Sequence, residues 1–221
     1  MNMDLTFQGQ TASEKGSGVV QYHPSAGDVT MNVTSSSGAG GQAEMILADG
    51  VIYMKLPSQE MRAFAQEFNN NELATRPWLK LDPNGTDPLD KAFAPVAKTA
   101  QEDDDPAATI ARLKLAGTIT STRNEQLDGR STTHYTITVD TKKLADSLPD
   151  SDPEKQVLNN GLQAGGPTSQ TVEVWVNSEN LPLKITEKTN VSAATFTFSD
   201  WGVPVSVAAP PADQVATISG N

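Results

Sequence analysis

Apolar and polar residues alternate through the first quarter of the chain, and this pattern predicts strands. Leu5–Phe7, Val19–Tyr22 and Val29–Val33 each read as a short strand bounded by turn chemistry. After the Gly/Ser stretch 35–41, Ala43–Leu47 and Val51–Met54 face each other across Ala48-Asp49-Gly50. An Asp-Gly pair between two such runs predicts a hairpin, because primed turns need positive φ and Gly accepts it without strain. The period then lengthens. Met61, Phe64, Ala65 and Phe68 recur at helical spacing, which predicts one amphipathic helix over 61–68. Trp78–Leu81 is a short strand that stops at Asp82-Pro83-Asn84-Gly85. Asp87-Pro88 and Asp105-Pro106 each place an N-capping side chain before a proline at the first helical position. They predict helices from 87 to about 98, and from 105 with Ile110, Leu113 and Ala116 on one face and a stop at Gly117.

The second half returns to strands. Residues 118–127 and 132–140 flank a second Asp-Gly pair, Asp128-Gly129. In the later strand Tyr135, Ile137 and Val139 share one face, and His134, Thr136 and Thr138 share the other. Helices are predicted over 141–148 and 154–162, divided by Pro149–Pro153, and strands over 171–176, 183–188 and 194–198. Past Pro210-Pro211 nothing is periodic, so the chain divides into one domain over 1–210 and a tail over 211–221. Strand-rich ends around helical interruptions, without βαβ alternation, predict an α+β fold. Its framework is a single curved antiparallel sheet, a half-barrel, with amphipathic helices laid on the concave apolar face. An apolar cavity between sheet and helices follows from that arrangement.

Composition narrows the chemistry. The 221 residues carry 16 Lys plus Arg against 27 Asp plus Glu, a net charge of −11, so a phosphate backbone is repelled and nucleic acid is no partner. There is no cysteine, hence no thiolate nucleophile, disulfide or Cys-ligated metal. Only His23 and His134 remain for imidazole chemistry, and His134 falls by alternation on the solvent face. No apolar run reaches the roughly 20 residues of a membrane span, and no basic and apolar export signal opens the chain. Gly-rich phosphate loops and nucleophile elbows are absent from the sequence.

Several oxygen-rich or aromatic groups read as structural. Glu102–Asp105 is a solvated run feeding a helix N-terminus, where carboxylates are favoured. Asp82–Asp87 has the oxygen content of a calcium loop, yet its sixth position is Asp87 rather than Gly and its twelfth is Phe93 rather than Glu, so it reads as a turn. Trp175 and Trp201 read as packing residues. The helical aromatics Phe64, Phe68 and Phe93 face the expected cavity and are candidate ligand contacts.

A set of short blocks then carries a family resemblance. These are Gly50–Met54, Trp78–Asp82, Leu127–Gly129 with Thr133–Tyr135, Val174–Val176 with Leu181–Ile185, and Phe198–Gly202 with Pro204-Val205 and Ala209–Pro211. Their order and spacing resemble actinobacterial lipoproteins of the LppX/LprG type, over almost the whole chain. That family resembles the LolA/LolB carriers, in which a half-closed barrel over helices encloses an apolar cavity for acyl chains. The resemblance implies an extracytoplasmic lipoprotein and not an enzyme, with no cofactor and no metal. It further implies a lipid or other apolar small molecule as ligand, and an anchor in the outer face of the cell membrane. The family's acylated cysteine is not among these residues, so the resemblance implies that the chain starts after it. The expected cavity lining is Met54, Phe64, Phe68, Phe93, Ile110, Leu113, Leu144, Val157, Leu158 and Leu162. The rival reading is a cell-surface module with a filled core, acting on an envelope protein partner through its acidic exterior. A paired-carboxylate hydrolase ranks third, since no spacing singles out a pair.

Overall fold

The structure is a computed structural model that describes residues 2–7, 13–22, 25–34, 40–67, 71–86, 90–91, 116–150, 152–190 and 192–216. The chain forms two compact units, one from Met1–Ser13 and Asp105–Val203, the other from Glu14–Asp104 and Pro204–Asn221.

In the first unit the strands are β1 (Asn2–Phe7), β7 (Gly117–Leu127), β8 (Arg130–Asp140), β9 (Ser169–Val176), β10 (Pro182–Lys188) and β11 (Ser192–Thr197). They run in the order β1-β11-β10-β9-β8-β7, and every described pairing is antiparallel. Two helices, α3 (Thr141–Ser147) and α4 (Pro153–Gln163), follow β8. Both begin where a carboxylate satisfies an otherwise orphaned amide: Asp140 accepts from the Lys143 N–H and Asp152 from the Glu154 N–H. Ile137, Val139, Leu144, Val172, Val174 and Val176 form the buried cluster, with Tyr135, Leu158 and Ile185 packed at its margin.

The second unit contains β2 (Ser13–Tyr22), β3 (Ser25–Thr34), β4 (Gly40–Ala48), β5 (Val51–Lys55), β6 (Trp78–Leu81) and β12 (Val215–Ala216), in the order β12-β6-β5-β4-β3-β2. Helices α1 (Ser58–Glu67) and α2 (Asn71–Thr75) lie between β5 and β6. Leu47, Ile52, Leu79 and Leu81 of the strands meet Met61, Ala65 and Leu73 of the helices in one cluster. The opposite strand face is also apolar, with Ile46, Ala48 and Trp78 buried together and Tyr53, Val207 and Val215 against them.

Both Asp-Gly turns form as expected. Ala48 pairs with Val51 and Leu127 with Arg130, so each loop has two residues, and all four carry positive φ: Asp49 52°, Gly50 75°, Asp128 50° and Gly129 78°. This double left-handed geometry matches the twist of the flanking strands. The oxygen-rich segment after β6 is a turn: Asp82 accepts from the Asn84 N–H, and Asp90 from the Asp82 N–H at 2.8 Å. Gly85 is required there, since a Cβ on it would lie 1.6 Å from Asp90 Oδ2.

Two expectations are corrected. Gly117 does not stop a helix in the left-handed region; it opens β7 opposite Val139. Residues 211–216 are not a tail: a 3₁₀ turn (Ala212–Gln214) leads into β12, which pairs parallel with Trp78 and Leu79 and buries Ala216 completely. Arg76 reinforces the pairing by donating to the Val215 carbonyl at 2.7 Å. A two-residue strand has no period to detect, which is why the sequence conceals it. The helix expected over 87–98 lies outside the described residues except at 90–91, which are helical, and that expected from 105 lies outside them except at Ala116.

Candidate functional site

The residues expected to line a cavity fall in several places. Met54 packs at the margin of the second unit's cluster beside Met45 and Leu56. Phe64 lies on α1, its side chain outside what is described, and Phe68, Phe93, Ile110 and Leu113 are outside the described residues. In the first unit, Leu144 is buried and Leu158 half-buried, both in the apolar cluster, while Leu162 is half-buried on α4. Val157 is 66% exposed. The structure therefore brings Leu144 and Leu158 together.

That apolar face carries one group the sequence reasoning did not single out. On β10, Glu187 stands opposite Val172 and Ala194, on the same side as Ile185. Burial pushes its carboxyl above the ordinary glutamate range. Its alternation with Ile185 was the available signal.

The other face of the same strands holds the densest polar network described. Register aligns Arg123, His134, Trp175 and Lys184 in one row across β7, β8, β9 and β10. His134 and Trp175 stack with ring centroids 4.0 Å apart and planes 12° from parallel, and Lys184 Nζ sits 4.7 Å from the Trp175 ring. Arg123 Nε donates to His134 Nδ1 at 3.0 Å and lies 3.1 Å from Glu125 Oε2. The Trp175 indole donates to Glu125 Oε1, and Glu173 Oε1 stands 3.5 Å from His134 Nε2. Glu125 Oε1 also stands 3.2 Å from His134 Nδ1, so a carboxylate faces each ring nitrogen. The Trp175 hydrogen bond above all, with Arg123 adding to it, outweighs desolvation and holds the Glu125 carboxyl below the ordinary range.

This overturns the solvent-face reading of His134, which is 1% exposed. Alternation put the ring on the correct side, but Trp175 and the flanking ion pairs cover that side. Trp175 itself packs, at 8% exposed, and Trp201 anchors by donating to the Pro182 carbonyl at 2.9 Å. Among the described residues no group of three or more His, Asp or Glu is placed to hold a metal ion, and no helix is long and apolar enough to cross a membrane.

No family model matches the chain. It is 24% identical over 215 residues to an uncharacterised 31.2 kDa protein from the rplA–rplJ intergenic region of Streptomyces griseus, covering 95% of this chain and 70% of that protein. Among solved structures it is similar to LprF from Mycobacterium bovis, at 13% identity and a TM-score of 0.47, over 95% of this chain and 88% of that one. It is likewise similar to the Mycobacterium tuberculosis lipoprotein LppX, at 15% identity and a TM-score of 0.45, over 94% and 88%. These structural neighbours are of the LppX/LprG type. The fold is α+β, with antiparallel-rich strands that do not close into a barrel.

Proposed function

We propose that the protein binds the acyl chains of a lipid or lipoglycan and carries or presents them at the outer face of the cell membrane. The observation that supports this most directly is the grading of the first unit's apolar face. Fully buried Val139 and Val172 give way to half-buried Tyr135, Leu158 and Ile185 at the cluster's margin, while on α4 Leu162 is half-buried and Val157 exposed. Such a margin leaves apolar surface for a further apolar molecule to cover. Each methylene buried there contributes about 0.8 kcal/mol, so a chain of ordinary length binds without polar recognition. The lining in this reading, within the first unit, is Leu144, Val157, Leu158 and Leu162. The protein acts here as a binding protein and not an enzyme, tethered by a lipid anchor.

Native mass spectrometry of protein exported by its own host, followed by organic extraction, tests the proposal. A stoichiometric acyl-bearing species is expected. An apo mass with no uptake after incubation with lipid overturns it. The second reading, an interaction module with a filled core, is favoured by the complete burial of Leu79, Val139 and Val172 together with the net charge of −11. It predicts weak binding of the dye ANS and no displacement by fatty acids, whereas the carrier reading predicts binding and displacement.

A further inference from the structure

One carboxyl stands in the apolar face of the first unit. Glu187 on β10 is opposite Val172 of β9 and Ala194 of β11, while Ile185, two positions earlier on the same face, is opposite Val174 and Phe196. Val172 and Val174 are buried, whereas Ile185, Glu187, Ala194 and Phe196 are half-buried. Glu187 therefore sits where the packed part of the face gives way to its open margin. Among the described residues it has no hydrogen bond and no ion pair.

The lysines of its own strand do not serve it. Lys184 and Lys188 point to the reverse face of β10, the first over the Trp175 ring and the second onto Glu173 Oε2 at 2.9 Å. A lone carboxyl among apolar side chains loses hydration and gains nothing in exchange, and burial accordingly pushes its pKa up. Half-burial leaves the side chain within reach of a molecule lying on the face. A plain hydrocarbon there would complete the burial and leave the carboxyl without a partner, and the head of a fatty acid would set a second carboxylate against it. A chain that carries a hydroxyl or an ammonium supplies the missing hydrogen bond, which is stronger in these apolar surroundings than in water.

Resting on the reading of this face as a site for apolar chains, we propose that Glu187 selects the ligand: an amphiphile whose chain bears a hydrogen-bond donor, in preference to a free fatty acid. The donor is a hydroxyl or an ammonium, since both offer the carboxyl the same hydrogen bond. Ile185, Ala194 and Phe196 contribute affinity for any chain, and Glu187 fixes which chain is held and how far along the face it lies.

Titration of the isotopically labelled full chain with decylamine, decanol and decanoate, each below its micelle threshold, followed by amide NMR at β9 to β11, tests the inference. The amine, the alcohol or both are expected to shift the Ile185, Glu187 and Ala194 amides saturably and to bind about tenfold tighter than decanoate, the worth of one hydrogen bond to a charged group. Glu187→Leu, which keeps the volume and removes the carboxyl, is expected to erase that advantage. Glu187→Gln separates the two donors: its amide still accepts from a hydroxyl, so an alcohol keeps its advantage, whereas an ammonium loses its counter-charge and its advantage. Glu179→Gln, at an exposed carboxylate in the turn after β9, is expected to leave the preference intact, which excludes the net charge of −11 as its source. Equal binding of the three chains, shifts confined to other parts of the unit, or a preference that survives Glu187→Leu overturns this inference and leaves the carrier reading standing. No shift anywhere with any chain overturns both.

Discussion

The two faces of strand β8 bury side chains by opposite means. Ile137 and Val139 disappear into an aliphatic cluster whose contacts need no direction. Thr132 and His134, on the reverse face, are buried as thoroughly, but by a stacked ring, a guanidinium and two carboxylates whose positions are fixed by hydrogen bonds. The first arrangement tolerates exchange of one aliphatic side chain for another of similar volume. The second does not, because removing one partner strands the others. Alternation of polarity along a strand therefore reports which face a side chain joins, and says nothing of whether solvent reaches it.

The comparison is broken most severely at its aromatic centre. Trp175→Ala removes the stack, the lysine contact and the Glu125 hydrogen bond together, and about 3–5 kcal/mol of stability is expected to be lost in urea unfolding. A loss below 1 kcal/mol would show that the polar face is passive. On the aliphatic side, Leu144→Ala is expected to cost about 2–3 kcal/mol by the same measurement, since it leaves a cavity beneath α3.

Glu187→Gln sharpens the contrast through pH. A carboxyl whose folded pKa is raised binds its proton more tightly in the folded state. Its contribution to stability is therefore highest below the unfolded pKa of about 4.3 and declines as pH rises through the folded value. The variant is expected to melt at a higher temperature than the parent at pH 7 and at the same temperature near pH 4. Thermal scans at the two pH values decide this, and a lower melting temperature at pH 7 would mean that the carboxylate is satisfied. The smallest effect belongs to the exposed edge of the row. Lys184→Gln removes only the cation over Trp175 and is expected to cost about 0.5–1 kcal/mol, read as a shift of the urea midpoint without a change of slope.

Much of the fold was legible because it is written in local chemistry. The Asp49-Gly50 and Asp128-Gly129 turns announce themselves by the only residues that take positive φ cheaply, and Asp152-Pro153 marks the start of α4 by the geometry of a helix N-terminus. What escaped was non-local. β12 exists because Trp78 and Leu79 offer it an edge, and nothing in Val215-Ala216 itself encodes that partner. The buried state of His134 depends on Trp175, a neighbour across the strand array, and the isolation of Glu187 depends on what lies on β9 and β11. The apolar character of Leu144 and Leu158 was legible from helical periodicity, and the structure places both in the first unit's apolar cluster.

The closing strand of each unit arrives late on the ribosome. In the first unit β1 stands ready from Asn2 onward, yet its partner is β11, where Asn2 meets Thr197. In the second, β6 has an unfilled edge from Trp78 until Val215 emerges. Each unit is thus closed by a pairing between segments more than a hundred positions apart. Closing each unit therefore waits on a contact of high sequence separation, which the hairpins of low contact order precede.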